Sequence, residues 1–216
     1  MDLILLLKDS LPSLFSGLAV TLKITATSIC LATTLGLLFG LMSISTSKIL
    51  RLIATIYIDI IRGTPLIVQA FFIYFGLPSA FALKMSAITA GIVTIGANAG
   101  AYMSEIFRGG ILAVDKGQFE ASRSLGLSYR QAMQKVILPQ AIRNMIPAII
   151  NQFIISLKDT SLLTVIGIRE LTQSGEIIVA STYKAFQIWT IVGAFYLIII
   201  TIISYTSRYI ERKVRI

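Results

Sequence analysis

Long apolar runs dominate this sequence, and they decide what kind of fold it can adopt. Of its 216 residues, 56% are hydrophobic and only 13% are charged, and the mean hydropathy is +0.84. A soluble domain of this length carries a smaller apolar fraction and more charge. The composition therefore predicts an integral membrane protein built from α-helices.

Five of the apolar runs are long enough to cross a hydrocarbon core, which takes roughly 20 helical residues. The predicted membrane spans are residues 11–44, 52–77, 85–107, 139–157 and 187–205. The first run exceeds a straight crossing, and tilt would absorb the excess. The predicted fold class is all-α: one transmembrane domain over residues 1–216, an integral membrane bundle of about five transmembrane helices.

Glycine and proline residues within the spans predict close helix contacts and kinks. Glycines four residues apart let two helices approach closely, and such pairs occur in the first and third runs: Gly36 with Gly40, and Gly96 with Gly100. Pro65 predicts a kink or break near Thr64, because proline removes a helical hydrogen bond and clashes with the preceding turn. Pro147 is a second kink candidate.

Two pairs of opposite charges lie three residues apart, a spacing that permits an ion pair on one helix face. They are Asp59 with Arg62 and Glu105 with Arg108. Both are predicted to be structural pairs near the membrane surface, where pairing lowers the cost of holding a charge.

Several kinds of chemistry are excluded by residue types that are absent. The sequence has no histidine and one cysteine, Cys30, so we predict no metal site and no disulfide within the chain. No GxxxxGK[ST] motif occurs, so the chain is not expected to bind ATP itself. An intramembrane enzyme is disfavoured, since its carboxylates are scattered and it lacks a histidine base.

The net charge of +9 reflects membrane topology rather than nucleic-acid binding, because the basic residues flank the apolar runs. In a five-span arrangement, twelve of the 19 lysines and arginines fall on one side. The positive-inside rule makes that side cytoplasmic, with the N-terminus outside and the C-terminus cytoplasmic. The twelve are Lys48, Arg51, Arg108, Lys116, Arg123, Arg130, Lys135, Arg143, Arg208, Arg212, Lys213 and Arg215.

A polar stretch, residues 115–138, interrupts the apolar runs on the predicted cytoplasmic side. Phe119 to Leu125 is typical of a short helix that ends at Gly126, the residue type that most easily takes a left-handed conformation. Ser128 and Gln131 have the spacing of a capping box, which predicts a second helix. Pro139 suits the first turn of a further helix.

The second helix of this stretch is amphipathic. Its apolar residues recur at spacings of three and four, while Arg130 and Lys135 fall on the other side; they are Tyr129, Ala132, Met133, Val136 and Ile137. Periodicity alone fits an ordinary amphipathic helix on the membrane surface equally well.

The stretch also contains a recognisable sequence motif. It resembles the EAA loop of membrane permeases in bacterial ATP-binding-cassette importers, with Ser122 and Val136 departing from the usual residues; the matching positions are Glu120, Ala121, Gly126, Leu138 and Pro139. Three more segments resemble the polar amino-acid branch, the histidine, glutamine or arginine permease type: residues 62–66 with 69 and 74–78, residues 101–111, and residues 158–163.

The resemblance implies a cytoplasmic coupling helix that docks on a separate ATPase. The residues implied in coupling are Glu120, Ala121, Gly126, Ser128, Tyr129, Arg130, Met133, Leu138 and Pro139. It also implies two ATPase subunits, a second permease subunit, identical or related, and an extracytoplasmic amino-acid-binding protein, all in or at the bacterial plasma (inner) membrane with its lipids. No cofactor is expected on this chain, because ATP and Mg would be bound by the ATPase.

Polar residues beside the apolar runs are the candidates for contacting a zwitterionic substrate, since such residues usually face the interior of a bundle. They are Gln69, Asn98, Tyr102, Gln152, Ser156, Asp159 and Thr160. Glu105 and Asp159 would suit a basic amino acid such as arginine, lysine or histidine, while glutamine and other polar amino acids stay open. The alternative function is gradient-driven secondary transport, which usually shows an inverted repeat that this sequence lacks.

Overall fold

The computed structural model describes residues 3–214, and this range is helical without a β-strand. The prediction of an all-α bundle is confirmed. The N-terminus, which is predicted to lie outside, and Arg215, which is predicted to be cytoplasmic, are outside the described residues. The helices are α1 (Leu3–Ser43), α2 (Lys48–Arg62), α3 (Leu66–Phe71), α4 (Leu77–Phe81), α5 (Ala87–Leu112), α6 (Lys116–Ser124), α7 (Tyr129–Ala132), α8 (Leu138–Asp159), α9 (Leu171–Thr182) and α10 (Ala185–Val214). A 3₁₀ helix, Thr160–Ile166, follows α8.

The core of the fold is the contact between α1 and α5. A Cβ built on Gly36 would lie 2.6 Å from the Cβ of Met103, and one built on Gly96 would lie 2.6 Å from Leu31. No side chain fits between the two helices at these points, so they approach almost backbone to backbone. The close packing predicted from glycine spacing is confirmed at Gly36, Gly40, Gly96 and Gly100.

The second apolar run is broken where Pro65 predicts a break. The axis of α2 and that of the helical segment Leu66–Phe81 are bent by 104°. The amide of Gln69 donates hydrogen bonds to the carbonyl oxygens of Ile61 (2.7 Å) and Thr64 (3.0 Å). These carbonyls lie at and beyond the end of α2, where no helical partner is available, so Gln69 stabilises the bend.

Two π-helical turns, Phe72–Gly76 and Met133–Ile137, each end two residues before a proline, Pro78 or Pro139. The ring of a proline clashes with the carbonyl four residues earlier, and the wider π turn relieves that clash. Pro139 does fall in the first turn of α8. The prediction that it opens a separate helix is wrong, because one helix continues from Tyr129 to Ile166.

By length and composition, three helices in the described range could cross a membrane: Leu5–Ser43, Tyr129–Ile166 and Ala185–Tyr209. The bent pair α2 with Leu66–Phe81 makes a fourth if it counts as one span. Helix α5 is long enough, with 26 residues, but its polar and small residues keep it out of this group. The five-span topology stays a prediction.

Candidate functional site

The polar stretch forms a hinged loop, residues 115–138, whose first helix ends in a Schellman motif. Gly126 has φ of 84°, in the left-handed region that favours glycine. The N–H of Gly126 donates to the carbonyl of Arg123 (3.0 Å), and the N–H of Leu127 donates to that of Ser122 (3.2 Å). These bonds satisfy carbonyls that the helix end leaves free, and the predicted hinge at Gly126 is confirmed.

The second helix of the hinged loop starts with the predicted capping box. The Oγ of Ser128 accepts a hydrogen bond from the N–H of Gln131 (3.3 Å), and the Gln131 side chain accepts one from the N–H of Ser128 (2.9 Å). At the start of the first helix, Asp115 accepts from the N–H of Gly117 (2.7 Å). Both helices of the loop therefore have defined ends.

The tip of the hinged loop projects its side chains outward. Leu125 is 83% exposed and Tyr129 is 65% exposed, and the Tyr129 ring packs edge-on against Phe119, with centroids 5.6 Å apart. Among the nine residues predicted to couple, only Met133 and Leu138 are half-buried. The exposed ones are Glu120, Ala121, Gly126, Ser128, Tyr129, Arg130 and Pro139.

An open cavity of about 340 Å³ lies between the hinged loop and the end of α5. Its walls include Glu120, Tyr129 and Met133 from the loop, and Ile111 and Leu112 from α5. An exposed carboxylate beside an apolar recess can receive a side chain of a partner and form an ion pair at its edge.

Two of the substrate candidates meet across the fold. The amide of Asn98 on α5 donates to the Oε1 of Gln69 at 3.1 Å, and both side chains are buried. Gln69 uses its own N–H groups to hold the bend after α2. These two candidates therefore form one buried amide pair.

The predicted ion pair between Asp59 and Arg62 is not formed, although both residues lie in the described range. The guanidinium of Arg62 instead lies over the ring of Tyr102, 5.2 Å from its centroid, a cation–π contact. Arg62 is the last residue of α2, so its side chain can reach across to α5. The second predicted pair is confirmed, with Arg108 Nη2 2.7 Å from Glu105 Oε2.

The remaining substrate candidates lie near the end of α8. Gln152 and Ser156 are buried and 3.5 Å apart, and the Thr160 hydroxyl donates to the carbonyl of Leu157. Asp159 is half-buried.

Three other cavities, of about 210 to 330 Å³, border α8 or α10. Neither these cavities nor the loop cavity is lined by any of the seven candidates. Pro147 lies inside α8, which continues past it.

A buried polar group that the sequence analysis missed surrounds Glu170, which is fully buried. Its carboxylate accepts hydrogen bonds from the N–H of Gln173 (2.8 Å), the hydroxyl of Tyr196 (3.1 Å) and the hydroxyl of Thr21 (3.4 Å). The hydroxyls of Thr172 and Tyr196 lie 3.0 Å apart. We call Thr21, Glu170, Thr172 and Tyr196 the Glu170 cluster, and it joins α1, α9 and α10.

Burial raises the pKa of the Glu170 carboxyl, while hydrogen bonds from its neighbours act in the opposite direction. The carboxylate also caps the start of α9, where free N–H groups favour a negative charge. One local signal in the sequence is an acidic residue immediately before Leu171, where α9 begins. That signal does not reveal that α1 and α10 supply the other donors.

The sequence matches a known protein family and is similar to individual permease proteins. A family described as binding-protein-dependent transport system inner membrane component matches residues 32–216. The chain is 44% identical over 208 residues to the glutamine transport system permease protein GlnP of Escherichia coli (strain K12), across 96% of this chain and 95% of that protein. It is 37% identical over 205 residues to the arginine transport system permease protein ArtQ of Bacillus subtilis (strain 168), across 95% and 94%.

Solved structures agree with the sequence relatives. The fold matches the crystal structure of an amino acid ABC transporter with histidines, with a TM-score of 0.93 and 41% identity over 99% of both chains. The MetNI methionine ABC transporter in an inward-facing conformation shares the fold at 22% identity, with a TM-score of 0.77 over 93% of this chain and 95% of that one. The chain therefore belongs to the family of binding-protein-dependent transport system inner membrane components.

Proposed function

We propose that this chain is the permease subunit of an ATP-driven importer of polar amino acids in the bacterial inner membrane. The observation that carries the proposal is the hinged loop, which has two capped helices, an exposed tip and a cavity edged by Glu120. The named relatives transport glutamine and arginine, which supports amino acids as the substrate class.

The continuous helix from Tyr129 to Ile166 supports a coupling mechanism. Because no break separates the hinged loop from α8, a displacement of Tyr129 is carried along the helix toward Asp159. An ATPase that moves the loop would thereby bias the bundle between inward-open and outward-open packings. ATP and Mg belong to that partner, since this chain has no phosphate-binding motif.

The proposed assembly has two ATPase subunits, a second permease subunit and an extracytoplasmic binding protein. The N-terminus lies outside and the hinged loop faces the cytoplasm, as the distribution of basic residues indicates. Within this arrangement the capped loop points its exposed tip at the ATPase.

One acidic residue is the best candidate for binding the positive charge of a basic amino acid. Glu105 is paired with Arg108, so Asp159 is the acidic candidate available to a basic amino acid. Asp159→Asn is expected to lower arginine and lysine uptake about tenfold or more, through loss of a charge-assisted hydrogen bond. Glutamine uptake should change little. An equal loss for all of these substrates would exclude Asp159 as the group that selects a positive charge.

The docking proposal is tested with two charge-reversal variants of exposed glutamates. Glu120→Arg lies in the hinged loop, and Glu176→Arg lies on α9 with the same charge change. Each tagged chain is extracted from native membranes in mild detergent, and the proteins that co-purify are identified by mass spectrometry. The wild type and Glu176→Arg should recover a soluble ATPase, and Glu120→Arg much less.

Recovery of the chain without any ATPase in all three samples would remove the support for ATP-driven transport. Gradient-driven transport would then be the hypothesis to test, by measuring uptake after the proton or sodium gradient is collapsed. Equal recovery in all three samples would show that an ATPase binds elsewhere on the chain.

A further inference from the structure

The last turns of α10 carry a stripe of alternating aromatic and basic side chains. Tyr205, Arg208, Tyr209 and Arg212 are spaced three and four residues apart, so they share one helix face. All four are exposed, and they line an open cavity of about 330 Å³. We call these four residues the α10 stripe.

The stripe carries two positive charges, on Arg208 and Arg212. Among the side chains that the structure describes, neither arginine has an ion-pair partner. The ammonium of Lys213 lies 4.9 Å from the centroid of the Tyr209 ring and adds a third charge at this end. From Tyr205 to Ile216 the sequence has four basic residues and one acidic residue, Glu211.

A second cavity adjoins the stripe and reaches along the helix. It has about 210 Å³ and lies between α8 and α10, where its walls include Pro147, Ile154 and Ser204. Arg208 lines both cavities. Most of the residues that line this second cavity are polar, but it shares Ser207 with an apolar cavity of about 330 Å³ between α8 and α10, whose walls include Phe153 and Ile202. A ligand with its charged end at the stripe would therefore have this apolar cavity nearby for its tail.

The position of the stripe along α10 points to a lipid rather than a protein as the occupant. The apolar stretch Ala185–Tyr209 is long enough to cross a membrane, and it exposes Leu197, Ile198 and Ile202 on its surface. The stripe covers the last turn of this stretch and the residues directly after it, which is the depth of phospholipid headgroups. Tyrosine is favoured at that depth, and arginine side chains extend toward the headgroups.

We propose that the α10 stripe is a binding site for an anionic phospholipid. The phosphate is held between the guanidinium groups of Arg208 and Arg212, which present paired N–H donors to phosphate oxygens. The hydroxyls of Tyr205 and Tyr209 donate to the headgroup, and an acyl chain lies in the apolar cavity between α8 and α10. This proposal does not depend on which substrate the protein transports.

The site is tested by native mass spectrometry of the chain, extracted with its partners and exchanged into micelles with equal phosphatidylglycerol and phosphatidylcholine. The wild type should retain phosphatidylglycerol in preference to phosphatidylcholine. Each basic residue near a charged membrane surface contributes about fivefold to such a preference. The double variant Arg208→Gln with Arg212→Gln should therefore lose about 25-fold.

The control is Lys48→Gln with Arg51→Gln, which removes the same charge from two exposed residues on the same predicted side. It should change the preference less than twofold, and both variants should match the wild type in thermal unfolding. An equal loss in both double variants would overturn the site, because the preference would then follow overall charge. Unchanged lipid retention in the α10 variant, with or without loss of a co-purifying protein, would also overturn it.

Discussion

The hinged loop and the Glu170 cluster hold their polar groups in opposite ways. The capping hydrogen bonds of the loop join residues two to five positions apart, as between Ser128 and Gln131. In the Glu170 cluster, Thr21 and Glu170 are 149 residues apart, and Glu170 is fully buried. The loop is shaped by its own sequence and left exposed, whereas the cluster exists only when three helices are assembled.

This contrast separates two kinds of variant. Changes in the Glu170 cluster or the α1–α5 contact should destabilise the bundle. Changes in the hinged loop should impair transport while the bundle stays folded. The expected loss in the free energy of unfolding decreases in the order Glu170→Ala, Gly36→Leu, Gly126→Val and Ser128→Ala.

The largest effect is expected for Glu170→Ala. The change leaves the hydroxyl of Thr21 and the N–H of Gln173 without their acceptor, while the Tyr196 hydroxyl keeps Thr172 as a partner. Each unsatisfied buried group costs roughly 1 to 3 kcal/mol. We expect a total loss of about 3 kcal/mol or more, measured by thermal unfolding in detergent. Glu176→Ala, at an exposed position of α9, serves as the control. Equal stability of the two variants would contradict the role given to the cluster.

Gly36→Leu tests the close contact of α1 with α5. Its side chain would enter the space already held by Met103, and overpacking of this kind typically costs about 1 to 3 kcal/mol. Gly109→Leu is a matched control, because a Cβ at Gly109 meets no atom within 4 Å. Unfolding measurements should show a loss of stability only for Gly36→Leu; a loss of the same size at Gly109 would refute the packing explanation.

Gly126→Val should stop transport with a smaller loss of stability. A β-branched residue at φ of 84° carries a strain of about 1 to 2 kcal/mol, which the loop can relieve by giving up its hinge. Uptake of radiolabelled amino acid by membranes with equal amounts of inserted protein measures the effect. Gly126→Asn should keep part of the activity, since asparagine tolerates the left-handed region. Wild-type uptake by Gly126→Val would show that the hinge is not needed.

Ser128→Ala is expected to have the smallest effect. It removes one half of the capping box, which typically costs about 1 kcal/mol of helix stability. The amide of Gln131 should exchange its hydrogen faster, and uptake should fall severalfold at most. Ser128→Asp preserves a capping oxygen and should restore slow exchange. If exchange at Gln131 is unchanged in Ser128→Ala, the cap does not stabilise the loop.

The same contrast explains which features the sequence could predict. The hinge at Gly126, the capping box and the break near Pro65 all depend on neighbouring residues, and each was confirmed. The pairing of Asp59 with Arg62 was wrong because Arg62 lies at a helix end, where Tyr102 on another helix is within reach. Sequence spacing carries no information about such a contact.

Some long-range features could be predicted only in part from the sequence. Gln69 and Asn98 were predicted separately as polar residues of the bundle interior, and the structure joins them. The role of Glu170 depends on Thr21 and Tyr196, which no local pattern connects to it. The continuous helix through Pro139 was missed because the π turn that accommodates the proline has no simple sequence signal.

The most direct test of the central claim is a crosslink from the tip of the hinged loop. Leu125→Cys, in a Cys30→Ser background that removes the one native cysteine, is labelled with a photoactivatable reagent in native membranes. Leu197→Cys on α10, exposed to a similar degree, is the control. The account predicts an ATPase crosslinked to position 125 and not to position 197. Absence of ATPase from the position 125 products, with the labelled chain intact and transport active, would contradict it.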